Sequence, residues 1–120
     1  MKHIATAKYR NYFKPLASSA DVQAAIMVLK PGRSSSDSAE NEHPRAEQWV
    51  FVVSGGGRAK IGSRTVRLKT GSLLLVEKNE RHQITNTGAD PLVTLNFYSP
   101  PAYTKSAEVK PSVKRNHPGR

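Results

Sequence analysis

Between Val22 and Tyr98 the chain is cut every few residues by a glycine, proline or asparagine turn, and nothing between the cuts has the length and period of an amphipathic helix. Such punctuation leaves few folds open. Short strands must pair through tight turns and pack as a sandwich or a barrel. The strand-like segments are Val22–Leu29, Gln48–Val53, Arg58–Ile61, Thr65–Leu68, Ser72–Val76, Arg81–Thr85 and Leu92–Tyr98. The first is rich in alanine and also permits a helix. Gly62-Ser63 is a two-residue hairpin signal. Gly55-Gly56-Gly57 reads as a turn and not as a phosphate loop, because no Lys-Ser/Thr follows it. Ser34-Ser35-Ser36 has no base beside it and reads as loop. The longest apolar run, Leu73 to Val76, has the length of a buried strand and falls far short of the ~20 residues of a membrane-spanning helix.

With 120 residues the chain can build one core. Three stretches are distinguished: residues 1–21 as an N-terminal arm or edge strand, 22–101 as the β-domain, and 102–120 as a basic, partly disordered tail. The net charge of +10 is unevenly spread. Residues 1–20 hold Lys2, Lys8, Arg10 and Lys14 without an acid, and residues 105–120 hold five bases against Glu108. The middle is nearly balanced. Basic arms suit nucleic acid, yet no aromatic residues are interleaved with them as a stacking platform, so they read as solvated ends and nucleic-acid binding is not expected. No cysteine is present, which excludes disulfides and thiolate ligands. With no secretory signal visible after Met1, a cytoplasmic protein that does not engage a membrane is expected.

Side chains two apart share a face of a strand. Gln48, Val50 and Val52 therefore face one way, and Trp49, Phe51 and Val53 the other. His82, Ile84 and Asn86 share a face, as do Asn41 and His43 if that stretch is extended. Turned inward, His43, Gln48 and His82 would set two imidazoles and an amide over a floor of Val50, Val52 and Ile84. A few convergent polar groups on an apolar floor are the usual form of a small-molecule or metal site. Trp49 and Phe51 would then form a second packing layer or a dimer surface, and a homodimer is the expected use. Arg81 would guide an anionic ligand or simply occupy a turn. Tyr98 and Tyr103 would close one end of the barrel or cap the fold.

These residues resemble the two motifs of the cupin superfamily, and in particular its small single-domain, mannose-6-phosphate-isomerase-like members. Aligned on Gly55, His43 takes the place of the second histidine of the first motif, Asn41 that of the first histidine, and Gln48 that of the glutamate. Gly71, His82 and Asn86 match the spacing of the second motif, where Glu77 and Asn79 replace the usual proline and glycine. The resemblance spans about residues 22–101. It implies an all-β double-stranded β-helix, a jelly-roll-like barrel, with a divalent transition metal (Ni, Zn, Fe or Mn) held by His43, Gln48, His82 and Asn41. The set departs from the family's three histidines and one carboxylate. It carries no charge to offset a cation, so Glu40, Glu42 or Glu47 would have to swing in, or water complete the shell. The implied function is to bind or act on a small polar molecule, sugar-like or an organic acid, as an isomerase or dioxygenase-type enzyme. A barrel that binds a small ligand without metal or turnover is the alternative.

Overall fold

The computed structural model describes residues 1–36 and 42–114. Eight strands follow a short 3-10 turn at Thr6–Lys8: β1 (Phe13–Ser18), β2 (Gln23–Leu29), β3 (Glu47–Ser54), β4 (Gly57–Ile61), β5 (Arg64–Leu68), β6 (Leu73–Val76), β7 (His82–Asn86) and β8 (Leu92–Ser99). One turn of helix, α1 (Pro111–Lys114), closes the described chain. Five strands form one sheet in the order β1-β2-β8-β3-β6, and three form the other in the order β5-β4-β7. Every strand pair is antiparallel. The two sheets face each other as the halves of a double-stranded β-helix. No described helix is long and apolar enough to cross a membrane.

The alternation read along β3 settles which face looks inward. Gln48, Val50 and Val52 are buried, while Trp49, Phe51 and Val53 remain 38–40% exposed. Val50 and Val52 join Met27, Leu29, Ala59, Leu68, Ile84 and Leu92 in the main core between the sheets. The alanine-rich Gln23–Leu29 is a strand, since it lies between two partners and fills both faces. Leu73–Val76 differs from the buried strand expected of it. It is the last strand of its sheet, and Leu73 is 63% exposed.

Turn chemistry fixes the ends of the strands. Gly62 carries φ +59° between the paired Ile61 and Arg64, as a two-residue hairpin with glycine first requires. Asn79 carries φ +71°, the left-handed conformation that asparagine tolerates and for which the family's motif usually has glycine. The turn around it is tied down by Asn79 N–H donating to Pro44 O (3.1 Å) and Glu77 N–H to the Glu80 carboxylate (2.9 Å). That turn delivers His82 to the start of β7.

Residues 13–18 form an edge strand of the larger sheet, bulged between Pro15 and Ala17. Residues 102–114 are packed and not a loose tail. Ala102, Tyr103 and Val113 are buried in a second cluster with Ala25, Ala46 and Tyr98. The buried Gln23 amide holds this segment: its oxygen accepts from the N–H groups of Ala102 (3.1 Å) and Tyr103 (2.9 Å), and its nitrogen donates to Tyr103 O (2.8 Å). Residues 115–120 lie outside the described residues.

Candidate functional site

A cavity of about 270 Å³ opens between the sheets, lined among others by His43, Gln48, His82, Ile84 and Glu42. His43 precedes β3 in a turn closed by Ala46 N–H donating to His43 O (2.9 Å). Its ring Nδ1 lies 3.1 Å from Ala46 O, and that of His82 lies 3.0 Å from Glu80 O. A carbonyl only accepts, so in both rings Nδ1 carries a proton, and in a neutral ring the lone pair then sits on Nε2. The rings stand 5.0 Å apart, centroid to centroid. Burial lowers the pKa of His82 to about 4; nearby His43 adds to this, while the bond to Glu80 O opposes it. His82 is therefore neutral at pH 7.

Gln48 joins His43 to the body of the sheet. Its oxygen lies 3.0 Å from His43 Nε2, and its amide nitrogen donates to Asn96 Oδ1 at 2.9 Å. Asn96 in turn donates to Thr94 Oγ1 (2.9 Å), whose hydroxyl points to Met27 O (3.4 Å). In this sense every donor ends on an acceptor, and the oxygen of Gln48 faces the lone pair of His43. Two acceptors 3.0 Å apart repel unless a proton or a metal cation lies between them. Turned over as a whole, the chain instead runs from Thr94 to His43, and the Gln48 amide donates to His43 Nε2.

The far wall is aromatic. Tyr98 lies 5.1 Å from His43, Tyr103 5.0 Å from Tyr98, and Phe13 4.7 Å from Tyr103, all between ring centroids. Burial holds both tyrosine hydroxyls protonated well above the ordinary phenol range; Tyr103 adds to the effect on Tyr98, and Glu42 to that on Tyr103. No lysine or arginine is among the lining residues.

Of the residues singled out from sequence, the fold brings His43, Gln48, His82 and Ile84 to the cavity, whereas Val50 and Val52 lie in the core and do not line it. Asn41 and Glu40 fall outside the described residues. Glu47 points to the outer face, where its carboxylate accepts from Trp49 Nε1 (3.1 Å). Arg81 is exposed and does not line the cavity. Asn86 is structural: its amide donates to Leu29 O and Asp90 O, and its oxygen accepts from Gly88 N–H, each at 2.8 Å. Sequence reasoning missed Asn96 and Thr94, both fully buried. The signal available was two polar residues at alternate positions of an otherwise apolar strand.

The pattern of the Cupin domain family matches residues 25–98. The chain belongs to the cupin family. Among characterised proteins this cupin is similar to protein SchB of Streptomyces halstedii, 35% identical over 63 residues, which is 52% of this chain and 44% of SchB. It is also similar to the tetracenomycin polyketide synthase protein TcmJ of Streptomyces glaucescens, 30% identical over 72 residues, 60% of this chain and 46% of TcmJ. The chain thus spans less than half the length of either relative. Among solved structures, BH2720 of Bacillus halodurans superposes with a TM-score of 0.77 at 22% identity, over 87% of this chain and 80% of that one. That likeness shows the fold.

The fold family implies a divalent ion. Both imidazoles have Nδ1 on a backbone carbonyl that fixes the tautomer, as metal-bound histidines usually do, which leaves Nε2 of each as the donor atom. The two rings lie 5.0 Å apart between centroids, tilted by 46°. An amide oxygen stands beside one of them. Among the described residues no three histidine, cysteine or acidic side chains converge. The set fits a transition ion with three neutral protein donors and solvent or ligand completing the shell.

Proposed function

We propose that this cupin holds a divalent transition metal on His43, His82 and Gln48 and binds a neutral, planar phenolic molecule against its aromatic wall. The observation that carries the reading is the convergence of three uncharged donors beside Phe13, Tyr98 and Tyr103 in a cavity lined by no cationic side chain. A phosphorylated sugar or an organic acid would find no cationic side chain there beside the ion and would meet Glu42. A flat aromatic ring has ring faces and edges to pack on. That TcmJ is a polyketide synthase protein is consistent with an aromatic ligand.

When bound, the ion would act as a Lewis acid on a carbonyl or phenolic oxygen of the ligand. His43 and His82 would supply nitrogen donors, with Ala46 O and Glu80 O holding the rings in orientation. Gln48, steadied by Asn96 and Thr94, would offer its oxygen. The hydroxyls of Tyr98 and Tyr103 stay protonated and would donate hydrogen bonds to a ligand oxygen. The opposite sense of the amide chain supports the second reading, a metal-free binding barrel.

Elemental analysis of untagged protein and of His82→Ala tests the metal. Near-stoichiometric ion in the first, lost in the second, is expected. A wild type that is empty and takes up no added Ni, Zn, Fe or Mn overturns the metal reading. Equilibrium binding of 1,8-dihydroxyanthraquinone against glucose 6-phosphate tests the ligand class, and preference for the sugar phosphate overturns it.

For the assembly we propose a homodimer through the outer face of the larger sheet. Trp49, Leu75 and Phe97 form one cross-strand row there, and Phe51, Leu73 and Leu95 the next. These rows carry no charge, so two copies can meet without burying one.

A further inference from the structure

A second concavity, of about 530 Å³, lies between the N-terminal segment, the outer edge of β1 and the hairpin at 103–110. Lys2, Lys14, Lys105 and Lys110 line it, and among the described residues no acidic one does. None of these lysines forms an ion pair among the described residues. Two come from the first fifteen residues and two from the last twenty, so the fold gathers charge that the sequence separates to opposite ends. Tyr9 adds a ring, with Lys14 Nζ 5.9 Å from its centroid.

The positions of these charges are set by ordered backbone. Gln23 fastens Ala102 and Tyr103 to β2. The hairpin beyond is closed by Thr104 N–H donating to Glu108 O (2.7 Å), Ala107 N–H to Thr104 O (2.9 Å), and Lys110 N–H to Ala102 O (2.8 Å). Glu108, the acid of this hairpin, does not line the groove. Four ammonium groups held around one hollow without counter-charges repel one another, and a multiply charged anion relieves that repulsion.

We propose that this groove is an anion site for a small molecule bearing two or three linked phosphates. The volume is that of a small-molecule site. A peptide strand is disfavoured, because Pro15 and the bulge beside it blunt the edge of β1 that such a strand would pair with. A nucleic-acid strand is disfavoured because the groove offers two aromatic rings, Tyr9 and Tyr103, of which Tyr103 is buried against Phe13 and Tyr98, and no succession of them. The site is separate from the proposed metal and independent of it, although Tyr103 lies in the wall between the two cavities.

The test is a titration of the full chain with inorganic triphosphate, followed by amide chemical shifts, with orthophosphate and a single-stranded oligonucleotide as comparisons. Saturable one-to-one binding is expected, with shifts at Tyr9, Lys14, Thr104, Lys105 and Lys110, and weaker binding of orthophosphate. Lys14→Gln with Lys110→Gln should weaken triphosphate at least about tenfold, the loss expected for charge-assisted contacts. Lys60→Gln with Lys78→Gln removes the same charge elsewhere and should leave the affinity within about twofold. Equal losses in the two double variants, shifts centred on His43 and His82, or no saturation would overturn the proposal. An oligonucleotide that displaces triphosphate at lower concentration would overturn the small-ligand assignment.

Discussion

Replacing His82 with glutamine should remove most of the acid sensitivity of the metal-free fold between pH 6.5 and 4. The ring is 8% exposed, and its pKa falls from 6.5 to about 4 because burial penalises the charged form. In that window the unfolded chain takes up a proton at His82 and the folded chain does not. Unfolding is therefore favoured as pH drops, and the contribution is absent above the unfolded pKa. The slope approaches ~1.4 kcal/mol per pH unit inside the window, and the accumulated loss reaches about 2.5 kcal/mol by about pH 4.5. Urea unfolding of chelator-treated wild type and His82→Gln, from about pH 7.5 down to about pH 4.5, reads this as a stability difference that grows with acid. Carboxylates titrate alike in both chains and cancel. Parallel curves would refute the reasoning: His82 would then accept a proton in the fold, and its lone pair would not be preserved by burial. The same shift means that a metal binding at pH 7 has no proton to displace from His82.

Asn86→Ala should cost about 3 kcal/mol in denaturant unfolding, because it deletes three hydrogen bonds and strands the buried carbonyl of Leu29 and the partly buried carbonyl of Asp90; a cost below about 1 kcal/mol would mean that water replaces them. Trp49→Glu with Phe51→Lys should convert the protein from dimer to monomer in light scattering while leaving the far-UV spectrum unchanged. A wild type that is already monomeric at high concentration would remove the sheet face from consideration.

The face of β3 that enters the core was legible because its two faces differ in kind: Gln48, Val50 and Val52 against Trp49, Phe51 and Val53, with the turn at Gly55 setting the register. β8 was not, for a physical reason. Its outward residues Val93, Leu95 and Phe97 are more apolar than inward Thr94 and Asn96, so hydrophobicity points to the wrong face. The strand turns inside out because its inner face serves the polar chain from Gln48. The run Leu73–Val76 was misjudged because edge position is a property of strand order, which no local pattern contains. The segment 102–114 hid its packing behind proline and lysine. Tyr103 and Val113 are held by partners such as Gln23 and Arg45, some 70 to 80 residues away.

The exchange of a carboxylate for Gln48 bears on what the site can accept. A divalent ion on His43, His82 and Gln48 would gain no balancing charge from these donors or from the aromatic wall, and Glu42 is the acid among the described lining residues. Water alone would balance that charge poorly in a half-enclosed cavity. A ligand that ionises on arrival balances it well, and a phenol next to a Lewis acid does so at modest cost. Burial raises the pKa of Tyr98 and Tyr103 and so disfavours the protein's own phenols in that role. A carboxylate at position 48 would satisfy the ion in advance and weaken the call on the ligand's oxygen. The neutral amide would thus make ion and ligand depend on each other, as the proposed site for a phenolic ring, held by its oxygen and by its face together, would require.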